Sequence, residues 1–222
     1  MNDDKDYLTY ISKSKMSQFT ACPWGFKLSY IEKTEKLENP FFSLGLDIHL
    51  FIEQFFDKIK TSGNGELSGL NALKFHPNTE YKKNVVKFEI ERWRKIKAAG
   101  HNSNYFYPLI KEQKFVVQEP KLIGIIDRIH LCCKEDPIAP WEPDMKTGDA
   151  VVVENKTGKM NSWKNRDYEE DLYFYKYLVE TVHPGIKLNW GTIYYPLDNE
   201  LHYVRLNSET RLKALVTKIN NT

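Results

Sequence analysis

The chain has 222 residues, 41% of them hydrophobic and 28% charged, which is enough for one large domain with its own core. Its net charge of only +2 excludes a generic polycation, so any grip on nucleic acid must come from a local basic patch. Three cysteines, two of them adjacent, do not make a disulfide framework, and no apolar run approaches the ~20 residues of a membrane span.

The opening MNDDKDYLTY carries neither a basic nor an apolar segment, so no signal peptide is expected and the cytoplasm is the default compartment. Ser14 is placed to cap a short helix and Pro23 to start the next at its first turn. From Phe41 to Lys60 apolar residues recur at helical spacing, with His49 at the border of the stripe. A turn-rich break follows at Thr61–Gly69. Asn78–Lys97 reads as a second long amphipathic helix, rich in Lys82, Lys83, Lys87, Arg92, Arg94, Lys95 and Lys97.

From Lys111 the pattern turns to strands. Lys111–Gln118 and Lys121–Cys133 form an expected hairpin with Glu119 and Pro120 at its turn. A Pro-rich loop, Lys134–Asp149, leads to the β-branched strand that begins VVVENK. A helix from about Arg166 to Val182, strands near Leu188–Tyr195 and His202–Leu206, and a C-terminal helix opened by Asn207 or Ser208 complete the chain.

Two of these strands carry acids where apolar residues belong. Asp127 lies in GIIDRI, and Glu154 and Lys156 share one face at the end of VVVENK. Charges on buried strands are costly unless they have a use. Two strand-borne acids and a strand-borne lysine suit a metal-dependent phosphodiesterase: carboxylates hold a hard divalent cation, and the lysine orients water or steadies phosphate charge. Pro143-Asp144-x-Lys146 offers an alternative acid–lysine pair, but it lies in a loop without a β-branched run. Gly158-Lys159-Met160 lacks the hydroxyl residue and the strand-to-helix turn of a phosphate loop. Ser12-x-x-Lys15 with Lys156-Thr157-Gly158 lacks the third element of a penicillin-binding acyl-enzyme.

The Asp … Glu-x-Lys pattern resembles the PD-(D/E)XK nuclease superfamily. SKMSQFTACPWGFKLSYI (14–31) resembles the opening of RecB-type nuclease domains, and SLGLDIHLFIEQFF (43–56) their Gly-x-x-x-His helix. KEQKFVV and GIIDRI resemble their paired first strands, and YEEDLYFYKYLVE (168–180) the helix after the catalytic strand. That helix usually carries Gln-x-x-x-Tyr; here the places fall on Asp171 and Tyr175. The ordered set is closest to stand-alone RecB-like exonucleases, including those of CRISPR adaptation.

The resemblance implies an α/β restriction-endonuclease-like core, a mixed central sheet flanked by helices. Residues 1–222 would be one nuclease domain, with 1–110 mainly helical and 111–222 the α/β catalytic core. It implies Mg²⁺ or Mn²⁺ held by His49, Asp127, Glu154 and the carbonyl of Asn155, with Lys156 and Tyr175 completing the catalytic set. Glu112, Asp171 and Tyr168 would support the site. Lys159 and Trp163, in the loop leading to Arg166, would guide DNA together with the basic helix. Cys22 stands where related nucleases place a first iron–sulfur ligand; no cysteine follows Cys133, so no iron–sulfur cluster is expected and Cys22 reads as a packed thiol. Cys132 and Cys133 should point to opposite faces of one strand, poor geometry for a shared zinc. The expected reaction is hydrolysis of DNA, as an exonuclease on single-stranded ends. The alternatives are an endonuclease or nickase of the same fold, and a non-catalytic DNA-binding or docking module. A helicase, recombination or CRISPR-adaptation partner would fit, and a membrane would not.

Overall fold

The computed structural model describes residues 9–34, 40–59 and 79–222, with backbone alone for 40–42. The opening residues 1–8 and the expected break at 61–69 lie outside the described residues. The frame is a five-stranded sheet in the order β1 (Ile110–Val117), β2 (Leu122–Leu131), β3 (Ala150–Asn155), β4 (Leu188–Tyr195), β5 (Glu200–Arg205). β1, β2 and β3 run antiparallel in turn, β3 and β4 are parallel, and β4 and β5 are antiparallel. A parallel pair needs a crossover, and α5 (Ser162–Val182) supplies it. Every residue of β3 is buried, as expected of a central strand covered on both faces.

Helices cover both faces. On one side α3 (Pro40–Lys58) and α4 (Glu80–Ala98) pack Ile48, Ile52, Phe55, Val85, Phe88 and Ile96 onto Val151, Val153, Trp190 and Tyr194. On the other, α5 joins Met16 of α1 (Lys13–Ala21) and Leu215 and Ile219 of α6 (Glu209–Asn220) over Phe115, Leu122, Val152 and Ile193. Burying each such side chain contributes roughly 1.5–3 kcal/mol. α5 comes close to the sheet because glycines face it. A Cβ at Gly124 would lie 2.6 Å from Leu178 Cδ1, and one at Gly191 would lie 2.8 Å from Leu172 Cδ1.

Several helix ends differ from the expectation. Ser12, not Ser14, caps α1 by accepting from the Lys15 N–H. The short α2 (Pro23–Phe26) starts on Pro23, but Cys22 is exposed and its Sγ accepts from the Gly25 N–H; it is a cap rather than a packed thiol. It runs on into a π-helical turn at Lys27–Ile31. α5 begins four residues early because Asn161 caps it, and Ser208 caps α6. β2 stops at Leu131, so Cys132 and Cys133 lie beyond the strand, and both are buried in the layer under α3 and α4. Among the described residues no helix is long and apolar enough to cross a membrane.

Candidate active site

The β1–β2 hairpin does something unusual at one rung. Phe115, Val117, Leu122 and Ile126 join the core under α5, and so do Ile110 and Ile129. The in–out alternation therefore slips by one residue on each strand, although the register is continuous from Lys111↔Arg128 to Gln113↔Ile126. The slip falls at Glu112 and Asp127. Glu112 takes φ +44°, a region that costs a non-glycine residue roughly 1–3 kcal/mol. The strained rung turns both carboxylates toward His49 on α3. His49 Nδ1 lies 3.3 Å from Asp127 Oδ1 and 3.7 Å from Glu112 Oε1.

β3 brings the second half of the site. Glu154 is buried, and its Oε1 accepts from Lys156 Nζ at 2.7 Å. Lys156 also donates to Asp171 Oδ2 on α5 at 3.0 Å, and its ammonium lies 4.3 Å from the centre of the Tyr168 ring. Lys13 of α1, which sequence reasoning missed, reaches Asp171 Oδ1 at 3.1 Å. Asp171 is thus balanced by two lysines.

Behind Asp127 runs a buried polar chain that sequence reasoning also missed. The backbone N–H and side-chain amide of Asn155 donate to Asp127 Oδ2 at 2.8 and 3.0 Å. Arg128 Nη2 donates to Asn155 Oδ1 at 3.0 Å, and its Nη1 to Glu89 Oε1 at 2.7 Å. Arg92 bridges Glu89 and Asp136. Arg92 was expected on a solvent-facing basic surface, yet it is fully buried. Its place beside Glu89, one helical turn back on an apolar face, is the signal that could have revealed this. Lys82, Lys83 and Lys95 are paired with Asp47, Glu80 and Glu91, which leaves the helix less free charge than its composition suggested.

The electrostatics follow from this crowding. Hydrogen bonds to Asp127 and then Glu112 push His49 up to about 10 against the opposing effect of burial. Burial works against an ionised Asp127, but the His49 hydrogen bond and charge hold it below the usual carboxylate range. Burial, then the charge of Asp127, pushes Glu154 up to about 8. Burial raises Glu112. Burial opposes the charge on Lys156, yet Glu154 and Asp171 raise its pKa. Tyr175 is raised well above its ordinary value, first by burial and then by Glu154, Asp127 and Asp171; its phenol stays protonated as a neutral donor.

The donor set fits a hard divalent cation. The ligand atoms of His49, Glu112 and Asp127 lie within 4.8 Å of one another. Glu154 Oε2 is buried without a hydrogen-bond partner among the described residues, as a vacant ligand atom would be.

A cavity of about 450 Å³ is lined by Lys13, Ser17, Tyr168 and Asp171, and one of about 210 Å³ by Lys13, Lys114, Ile123 and Tyr175. Lys159 is exposed, and Trp163, in the first turn of α5, is 88% exposed. The alternative pair lies elsewhere: Asp144 forms an ion pair with Arg205 at the end of β5, and Lys146 is exposed.

No curated protein matches the chain. Among solved structures, a candidate exonuclease from Eubacterium rectale shares the fold with a TM-score of 0.53 at 11% identity, over 100% of this chain and 81% of that one. The pattern describing the PD-(D/E)XK nuclease superfamily matches residues 10–221. With nearly its whole length matched, and its sheet mixed and flanked by helices, the chain belongs to the PD-(D/E)XK nuclease superfamily.

Proposed function

We propose that the chain is a RecB-like, Mg²⁺- or Mn²⁺-dependent deoxyribonuclease, acting as an exonuclease on single-stranded ends, with all of residues 1–222 forming one nuclease domain. The observation that carries this reading is the cluster of His49, Glu112 and Asp127 donor atoms within 4.8 Å of one another, with the buried Glu154 carboxylate on the neighbouring strand held by a charged Lys156. A bound cation would lower the pKa of its water and offset charge on the scissile phosphate. Asp127 and Glu154 would supply carboxylate oxygens, His49 its imidazole nitrogen, and Asn155 its main-chain carbonyl. Asn155 also clamps Asp127 Oδ2, which fixes the other oxygen toward His49. Lys156 would hold the attacking water in place and stabilise the charge that builds on phosphate. Tyr175, as a neutral donor, would hydrogen-bond a phosphate oxygen or Glu154, while Glu112 and Asp171 would tune His49 and Lys156.

Two features support a single-stranded end as substrate. α3 reaches the centre with His49 from one side of the sheet, and α1 with Lys13 from the other, so the site is bracketed rather than open. The cavities beside Lys13 and the exposed Trp163 suit a flexible strand with bases free to stack. The modest net charge suits this better than a broad duplex clamp.

The test is cleavage of end-labelled linear and of circular single-stranded DNA with Mn²⁺. Linear strands should shorten progressively, circles should survive, and a chelator should stop the reaction. Circles cut as fast as linear strands would make the enzyme an endonuclease, and full activity in excess chelator would end the metal mechanism.

A further inference from the structure

A second group of metal-ligating side chains lies outside the site just described. His101, in the loop after α4, faces Cys133 and Glu135, in the turn after β2, and the three donor atoms lie within 4.8 Å of one another. We propose that His101, Cys133 and Glu135 form a zinc site that joins the end of α4 to the end of β2.

The geometry is close to what zinc needs. Bonds of about 2.0 Å to nitrogen and oxygen and about 2.3 Å to sulfur, set tetrahedrally, place donor atoms roughly 3.3–3.6 Å apart. His101 Nε2 and Glu135 Oε2 are already 3.1 Å apart, so the thiol need close by little more than about an ångström. The thiol sits on a fixed turn. Asp136 donates its N–H to the Cys133 carbonyl, and its carboxylate is gripped by Arg92. Burial, then the charge of Asp136, raises the Cys133 thiol against the opposing N–H groups of Glu135 and Asp136, so the sulfur carries its proton until a metal takes that place. Cys133 is wholly buried, whereas His101 and Glu135 keep an open side, through which an ion can enter and water can fill the fourth position.

The donor chemistry sets this site apart from the carboxylate–imidazole centre. Sulfur with imidazole and one carboxylate selects Zn²⁺ over Mg²⁺ or Mn²⁺. Binding would release the thiol proton to solvent and join Cys133 S⁻ to the metal. The inference does not rest on the nuclease reading, and it fails or stands separately.

The test uses the full chain, stripped of metal and titrated with Co²⁺. Only a sulfur ligand gives thiolate-to-cobalt charge-transfer absorption, which the sulfur-free centre at His49 and Asp127 cannot produce. The band should appear and be bleached by added Zn²⁺. It should vanish in Cys133→Ser and persist in Cys22→Ser and Asp127→Asn. His101→Ala, a change at a partly exposed loop residue, should weaken Co²⁺ binding by at least about tenfold, which keeps the test decisive if Cys133→Ser does not fold. Absence of the band, its survival in Cys133→Ser, or unchanged affinity in His101→Ala would reduce the group to an ordinary His101–Glu135 hydrogen bond beside a bystander thiol.

Discussion

Lys156 donates to two carboxylates at once, while Asp127 is clamped by Asn155 and faced by His49, and this difference separates what their removal should do. Lys156→Ala should lower kcat about 10²–10³-fold, the usual loss when one preorganised donor to a developing anion is removed, with the Mn²⁺ requirement nearly unchanged. Asp127→Ala should instead abolish Mn²⁺ binding, measured directly by calorimetry. Lys146→Ala should leave both intact; if it alone stops cleavage, the active centre lies in the Pro-rich loop. At this scale the sequence was legible where a charge interrupted a β-branched run, which is why Asp127, Glu154 and Lys156 stood out. Lys13, the Asn155 clamp and the turned backbone of Glu112 were not legible. Each depends on which element lies opposite, and spacing within one element carries no such information.

Among the elements, α4 is anchored by charge as much as by apolar packing. Glu89, Arg92, Arg128 and Asp136 are all buried, and each of the four is paired. Glu89→Ala would leave two guanidinium groups buried and underpaired, so unfolding in denaturant should show a loss of about 3–5 kcal/mol. A loss under about 1 kcal/mol would mean that water replaces the carboxylate there. Helix and strand identities were readable from periodicity and held from α3 to α6. The ends were less readable, since Ser12, Cys22 and Asn161 compete with nearby residues for the capping role. The burial of Arg92 is signalled only by Glu89 one turn back, against a lysine-rich helix that otherwise predicts a wet face.

The stability of the whole molecule should depend on pH in two opposite ways. Glu89 and Asp127 are held below the ordinary carboxylate range, so the stability they contribute is present above that range and is lost as pH falls below it through their lowered pKa values. His49 and Glu154 are pushed up to about 10 and about 8, so the stability tied to their protons is lost as pH rises through those values. If His49 and Glu154 hold the proposed cation, it would replace those protons, and its binding should strengthen as pH rises. The increase in unfolding temperature on adding Mn²⁺ should be larger at about pH 8.5 than at about pH 6.5. An increment that shrinks with pH would mean that the cation binds elsewhere.

The doubly turned rung at Glu112 and Asp127 also bears on how this hairpin can vary in length. A residue inserted or deleted on one strand between Ile110 and Val117 would carry the turnover past its partner and swap inward for outward along everything beyond it. Matched changes at the tip, around Gln118–Lys121, leave the rung in place. Descendants of this chain should therefore lengthen and shorten the hairpin only between Glu119 and Pro120, because Gln118 accepts from Tyr10 and Lys121 from the Ile11 N–H just ahead of α1.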